Sequence, residues 1–594
     1  MLALYWLFLF SNNVQAGLFF NRIGQDIDID SEYDFIVIGS GSSGSVIASR
    51  LSEVPDWNIL LLEAGERVHF MNQVPIMAPL YQVTHYNWNY TMEKQEDFCL
   101  AMEEQKCAWP RGKALGGTTV LNYMIYTRGH PNDYDKWEKE NPGWGYQEVL
   151  PYFLKSENCN LGKGCYTNFH SRGGYLNVED SYSSELTDAF IAAGRELGYK
   201  QVDYNTDSVV GFSRMQANIK FGRRHSASAA FLGPASQRPN LKIVTGATVT
   251  TININPLTRE AYGVEFSRGK GQYFVNASKE IIVSAGVLNS PQLLMLSGIG
   301  PLHHLLELGI EPVQDLPVGK QLYDHLGFMG LVFTINRHIE PRQKMFEPTT
   351  IFEWMFRGTG FLASLGGIEA IAYISTKNTS YPDIELLLAG IGTLQFDRGT
   401  VSRRGLRITE AFYENYFEHL EKIPCVSILP VLLHPRSNGE LKLASSDAYE
   451  PPKSFGNYLT DQEGHDLEVL LKGIRLTQKL MESEAFQQYG AKIYDKPVPG
   501  CENFIFDTDQ YWECAVRHLG VTLHHQIGTC RMGNGSNSVV DQRLRVRGLK
   551  GLRVADTSVI PVTISAHTSA PAMMVGEKAS DMIKEDWGAY ILDY

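Results

Sequence analysis

Residues 33–53 read YDFIVIGSGSSGSVIASRLSE. Tyr33–Ile38 is rich in β-branched and aromatic residues, the pattern of a buried strand. Gly39-x-Gly41-x-x-Gly44 follows, and Val46, Ile47, Ala48 and Leu51 then begin a helical spacing. A second apolar run, Trp57–Leu62, ends in Glu63-Ala64-Gly65. Strand, glycine turn, helix and a strand closed by an acid form a dinucleotide-binding unit, whereas the glycines alone would suit any tight turn of an α/β domain. Gly39 and Gly41 let the backbone turn and approach a pyrophosphate. Gly44 lets the helix pack against the strand, and the helix N-terminus offers unpaired N–H groups to the anion. Glu63 is placed to accept hydrogen bonds from ribose hydroxyls. NAD and FAD both fit this much of the chain.

Four more stretches narrow the choice. Residues 111–129 read RGKALGGTTVLNYMIYTRG, 284–300 read SAGVLNSPQLLMLSGIG, 523–533 read LHHQIGTCRMG and 552–561 read LRVADTSVIP. In this order, and from about Tyr33 to Ile583, the chain resembles the glucose–methanol–choline (GMC) oxidoreductases, flavoprotein oxidases and dehydrogenases of alcohols. NPGWGYQEVLPYFLKSE, residues 141–157, is most similar to the insect branch that includes secreted glucose dehydrogenases. The resemblance implies an α/β (α+β overall) fold. A Rossmann-like FAD-binding domain, discontinuous in sequence, accompanies a substrate-binding domain with an antiparallel sheet and helices. The division this suggests is 31–330 with 530–590 for the first domain, carrying inserted segments of the second, and 331–529 for the second.

The same resemblance implies the cofactor contacts. Arg111–Asn122 would run along the flavin, with Arg111, Gly117 (beside Gly116) and Asn122 at the cofactor. Val249, in LKIVTGATVTTI, matches the strand that meets the adenine, and Asp556 would sit near the ribityl–pyrophosphate. Each has a plainer alternative: a structural Gly-Gly turn, a Thr118-Thr119 helix cap, a buried strand valine, a surface acid after a strand. Some relatives attach FAD through a histidine in this region; residues 111–129 contain none, so non-covalent FAD is expected.

The family pattern His-x-x-Gly-Thr-Cys falls on His525–Cys530 and singles out His525, not His524. The second catalytic position matches His567, in SVIPVTISAHTSAPAMM, which relatives fill with His or Asn. His525 and His567 would meet over the flavin, and a neutral imidazole can take an alcohol's hydroxyl proton. His524 is expected to be a structural neighbour pointing elsewhere, and adjacent histidines in a strand would face opposite sides, which disfavours joint metal ligation. A zinc site from His524, His525 and His567 lacks a fourth ligand and a typical spacing, so no metal is expected. No G-x-S-x-G elbow follows a strand, which disfavours a serine hydrolase.

Composition sets the class and the address. At 594 residues the chain can bury a large core and form two or more domains. A net charge of −13 without long Lys/Arg clusters argues against nucleic acid as a partner. MLALYWLFLFSNNVQAGLFF opens the chain. Its apolar run is too short to span a bilayer, which takes about 20 residues, and Val14-Gln15-Ala16 suits signal cleavage after Ala16, although no Lys or Arg precedes the run. Residues 1–16 are therefore expected to be a signal peptide of a secreted protein with no membrane span. Sequons at Asn89, Asn276, Asn378 and Asn534 agree with secretion. So do the cysteines: Cys99/Cys107, Cys159/Cys165 and Cys501/Cys514 are candidate disulfides, with Cys425 and Cys530 as free thiols.

Elsewhere the signal is structural. Phe352, Trp354, Phe356 and Phe361 could line a pocket or simply pack, and Leu467–Phe486 has the spacing of an amphipathic helix. Two functions remain: a secreted FAD enzyme oxidising a sugar, aryl, terpenoid or steroid alcohol with oxygen or a quinone as acceptor, or a catalytically silent flavin-binding relative. Retention of both His525 and His567 favours the first.

Overall fold

The computed structural model describes residues 29–589 except 163, 166, 340, 341 and 391–398; the signal-peptide assignment of residues 1–16 lies outside the described residues. The first sheet grows from the opening motif. β1 (Glu32–Ile38) and β2 (Ile59–Glu63) pair in parallel, with Ile36 opposite Leu60. Leu241–Thr245 continues the parallel run beyond β2, and the C-terminal part of Gly271–Val283 does so beyond β1. Phe35, Ile36 and Val37 are wholly buried, because a parallel sheet is covered on both faces. Leu552–Val554 joins the far side of Gly271–Val283, and Ala247–Asn255 and Glu260–Arg268 extend it as antiparallel strands.

α1 (Ser42–Leu51) and α2 (Ser569–Asp586) cover one face together. Gly576 has no room for a side chain: a Cβ there would lie 2.8 Å from the Ser43 carbonyl oxygen. Ser43 Oγ donates to the Ala572 carbonyl at 2.6 Å, and Arg50 makes a two-pronged contact with Glu577 at 2.7 and 2.9 Å. The nucleotide unit near the N-terminus is thus completed by Leu552–Val554 and α2, the last strand and helix among the described residues.

The second sheet is antiparallel. Its order is Lys492–Ile493, Val332–Thr334, Cys425–Leu432, Ile384–Ala389, Ile368–Ile374, Gly211–Arg214, and Leu326–Phe328 links Cys425–Leu432 to Gly520–Thr522. Gly211–Arg214 and Leu326–Phe328 both fall in the 31–330 segment of the sequence division, yet pair here. The helix His465–Met481 covers one face, and Gly473 lets it approach: an added Cβ would sit 3.0 Å from Pro430 Cβ. The sequence had suggested one helix over Leu467–Phe486; instead Ser483 starts a separate turn, Glu484–Gln487.

All three cysteine pairs are disulfides, and Cys425 and Cys530 are free and buried. Trp354 and Phe361 pack in a small satellite core, while Phe352 and Phe356 are exposed. No helix among the described residues is long and apolar enough to cross a membrane.

Candidate active site

The carboxyl ends of the parallel strands open on a cavity of about 520 Å³, with the antiparallel sheet as its opposite wall. Ligands of open α/β sheets bind at this edge. Ile38, Glu63 and Ser284 come from the first sheet, and Ile368, Leu387, Leu429 and Val521 from the second.

The three motif glycines do different work. Gly39, at φ +95°, would place a Cβ 2.5 Å from the Ser284 carbonyl oxygen, and Gly44 would place one 1.9 Å from the Gly39 carbonyl oxygen. Both are fixed by packing, and Gly44 does not line the cavity. Gly41 does line it, and an added Cβ there meets nothing within 4 Å. Gly117, at φ +54°, backs onto Gly41, its own Cβ position lying 2.6 Å from Gly41 Cα. Gly41 is also the N-cap of α1 and offers no side-chain cap, so the first N–H groups of a ten-residue helix are left for a ligand. Backbone brought this close to open space, with free donors, fits a pyrophosphate.

The polar contacts fit the rest of FAD. Glu63 lines the cavity at the end of β2, where its carboxylate accepts from Ser40 N (2.9 Å), Ser40 Oγ (2.7 Å) and Gly65 N (2.7 Å). Burial nonetheless pushes its pKa up. Asp556 accepts from Gly286 N and Ser558 N, both at 2.8 Å. Asn122 Oδ1 accepts from Arg224 Nη1 (3.0 Å) and Met124 N (3.1 Å), which leaves its amide N–H groups for the cavity. Val249 lines the wall from the Ala247–Asn255 strand. The Arg111 guanidinium is buried against the cavity, donating to the His524 carbonyl at 2.9 Å. Burial lowers its pKa to about 10, which keeps it charged at neutral pH.

The histidines meet at the other end. His525 and His567 both line the cavity with ring centroids 4.5 Å apart. Burial, helped by His567, His325, His524 and Arg111, holds the His525 pKa well below the usual histidine range, so its imidazole is neutral. His567 Nε2 lies 2.8 Å from Glu385 Oε1, and its backbone N–H donates to Thr127 Oγ1 at 2.7 Å. The strand-alternation argument for His524 does not hold. The strand ends at Thr522, His524 has φ +63°, and it lines the same cavity. Burial, then Arg111, lowers its pKa to about 3.

Several site residues escaped the sequence reading. Asp324 accepts the His525 backbone N–H at 2.8 Å, and His325 Nδ1 lies 3.0 Å from His525 Nδ1. Glu385 is fully buried behind His567. Its signal was present in the chain: one acid interrupts the apolar strand IELLLA, and a buried charge needs a partner. Arg224 hydrogen-bonds the Thr119 and Asn122 carbonyls at 3.1 and 2.7 Å, fixing the loop that carries Asn122. Nothing in its local sequence marks that role.

Comparisons with known proteins place the chain in a family. The family models described as GMC oxidoreductase match residues 33–327 and 435–576. Glucose dehydrogenase (FAD, quinone) of Drosophila pseudoobscura pseudoobscura is 39% identical, over 95% of this chain and 88% of its own length. Ecdysone oxidase of Bombyx mori is 32% identical, over 94% and 82%. Among solved structures, pyridoxine 4-oxidase from Mesorbium loti superposes with a TM-score of 0.77 at 27% identity, over 93% of this chain and 99% of that one. The chain therefore belongs to the GMC oxidoreductases, FAD-dependent enzymes that act on alcohols.

Proposed function

We propose that this protein oxidises a bulky, apolar alcohol, with His525 as the general base. The hydroxyl proton goes to His525, while His567, its Nε2 held by Glu385, fixes the position of the carbinol beside it. A bound FAD would supply the acceptor for the carbinol hydride and a route for its electron pair to oxygen or a quinone-like carrier. The alcohol R₂CHOH thus leaves as R₂C=O. The carrying observation is a half-buried, neutral histidine facing a second, carboxylate-held histidine in one cavity. A positive Arg111 at the wall favours negative charge that develops on the cofactor side.

The substrate class follows from the antiparallel wall. Ile368, Leu387, Leu429, Met329, Val521 and Leu523 face the cavity. Among the polar groups beside them, Gln526 Nε2 donates to Asp324 at 2.6 Å, Thr522 Oγ1 donates to the same carboxylate and Glu385 holds His567, while Gln526 Oε1 and His524 Nδ1 make no hydrogen bond. A sugar hydroxyl buried there without a partner costs about 1–3 kcal/mol. A buried methylene contributes about 0.8 kcal/mol. The wall therefore favours steroid, terpenoid or aryl alcohols over glucose. Anaerobic reduction of the bound flavin across such a panel tests this. Sterol, terpenoid or benzylic alcohols should bleach it and glucose should not; saturable bleaching by glucose alone would refute the substrate class, and no bleaching by any alcohol would refute the enzyme.

The same proposal includes secretion. Asn89, Asn378 and Asn534 are exposed and Asn276 is half-buried, so at least three sequons are open to glycosylation. The three disulfides suit an oxidising compartment. Recovery from the medium of a glycosylated chain starting at or near Gly17 tests it.

A further inference from the structure

A base must present a lone pair, and a neutral imidazole has only one. Which nitrogen of His525 carries it depends on what the other meets. His525 Nδ1 meets His325 Nδ1 at 3.0 Å, with the two rings perpendicular. Two neutral imidazoles in that contact share a single proton: one donates and the other accepts. If His325 donates, His525 Nε2 carries the proton and cannot take another. If His325 accepts, His525 Nδ1 carries it and Nε2 is bare.

The role of His525 chooses between these. With Nδ1 held against His325, only Nε2 of His525 can take a substrate proton, so Nε2 must be bare. Nδ1 of His525 then carries the ring proton and donates it to His325 Nδ1. The placement of the dipeptide is equally specific. Asp324 Oδ1 accepts the backbone N–H of His525, and the His325 carbonyl accepts the Leu523 N–H at 3.0 Å. The pairing of Leu326 with Thr522 fixes both segments in register. Asp324-His325 therefore grips His525 by backbone and by ring.

We propose that His325 is a positioning residue that holds His525 as its Nδ1–H tautomer and leaves His525 Nε2 as the proton acceptor. This rests on His525 being the base. The ring also faces charge from His567, His524 and Arg111, so any pH profile reads the whole group.

Two measurements on the flavin-loaded protein test the proposal. The first is ¹⁵N-histidine NMR of the wild type, with His525→Asn identifying the His525 signals. A protonated Nδ1 and a bare Nε2 are expected; the reverse would overturn the proposal. The second compares His325→Leu with His325→Gln at equal flavin content, following anaerobic flavin reduction against pH and substrate concentration. Leucine removes the acceptor, so the limiting rate should fall by about 10- to 100-fold, within the range for a mispositioned base, with little change in substrate Kd. Glutamine supplies an amide oxygen to Nδ1–H and should recover most of the rate. A leucine variant as fast as wild type, or a glutamine variant no faster than leucine, would overturn it. Should His525→Asn itself reduce flavin normally, the base assignment falls while the NMR result still decides the tautomer.

Discussion

Two glycines of one motif should fail in opposite ways when given a methyl group. Gly41 has φ −68° and ψ −159°, an extended conformation that alanine adopts freely, and its Cβ would meet no protein atom within 4 Å. Gly41→Ala apoprotein should therefore be as stable as wild type, or more stable by about 0.4–1 kcal/mol through the restricted unfolded chain. The methyl occupies space next to the free N–H groups of α1, where the pyrophosphate would lie. Overpacking of that kind costs about 1–3 kcal/mol, so FAD should bind roughly 5- to 150-fold more weakly. Gly44→Ala is the converse. Its Cβ would lie 1.9 Å from the Gly39 carbonyl oxygen and 3.2 Å from Ser284 Cβ, rigid neighbours just beyond the ends of β1 and its parallel partner. That apoprotein should lose about 1–3 kcal/mol. The assay pairs urea unfolding of deflavinated protein with FAD titration followed by fluorescence quenching. Wild-type FAD affinity in Gly41→Ala would mean that the cofactor does not touch this backbone. A Gly41→Ala apoprotein less stable than Gly44→Ala would invert the packing argument.

Three further outcomes follow from the site and its supports. His525→Ala should retain FAD and slow flavin reduction by about 10²-fold or more; His567→Asn should be milder than His567→Ala, and His524→Ala milder than His525→Ala, all read by stopped-flow under nitrogen. If His524→Ala abolished reduction and His525→Ala did not, the base would be the wrong histidine. Acid precipitation should release all the flavin, because Arg111–Gly129 holds no histidine to bond it; colour left in the pellet would contradict this. His170 is set between Glu157 and Asp203, both at 2.9 Å; burial opposes its charge, but these contacts outweigh it and raise its pKa to about 9. The folded pKa exceeds the unfolded value of about 6.5, so its stabilisation is complete below pH 6.5 and is lost as pH rises through 9. His170→Gln should cost up to about 3 kcal/mol near pH 6 and progressively less toward pH 9, measured by urea midpoints; a gap that widens with pH would refute the pairing.

What the chain revealed by inspection was what local geometry dictates. Gly39, Gly41 and Gly44 are required within one turn of backbone, so their spacing alone announces the unit. The disulfides close loops of 6, 8 and 13 residues, short enough to be seen as neighbours. The substrate wall was less readable. Gly211–Arg214 is four residues long and acquires its identity by pairing with Ile368–Ile374, which no local pattern encodes. His325 and Glu385 sit 200 and 182 residues from the histidines they contact. The strand that alternation would need at His524 stops at Thr522, and His524 itself is left-handed, which no local pattern announces.

The closure of the first sheet by Leu552–Val554 and α2 has a consequence for the chain's birth. β1 leaves the ribosome early, and its sheet lacks an outer strand until residue 554 is made. At typical elongation rates that wait lasts roughly half a minute to nearly two minutes. During it, the glycine loop has neither Asp556 nor the helix that packs on Ser43. Flavin loading therefore waits until Leu552–Val554, Asp556 and α2 have all been made.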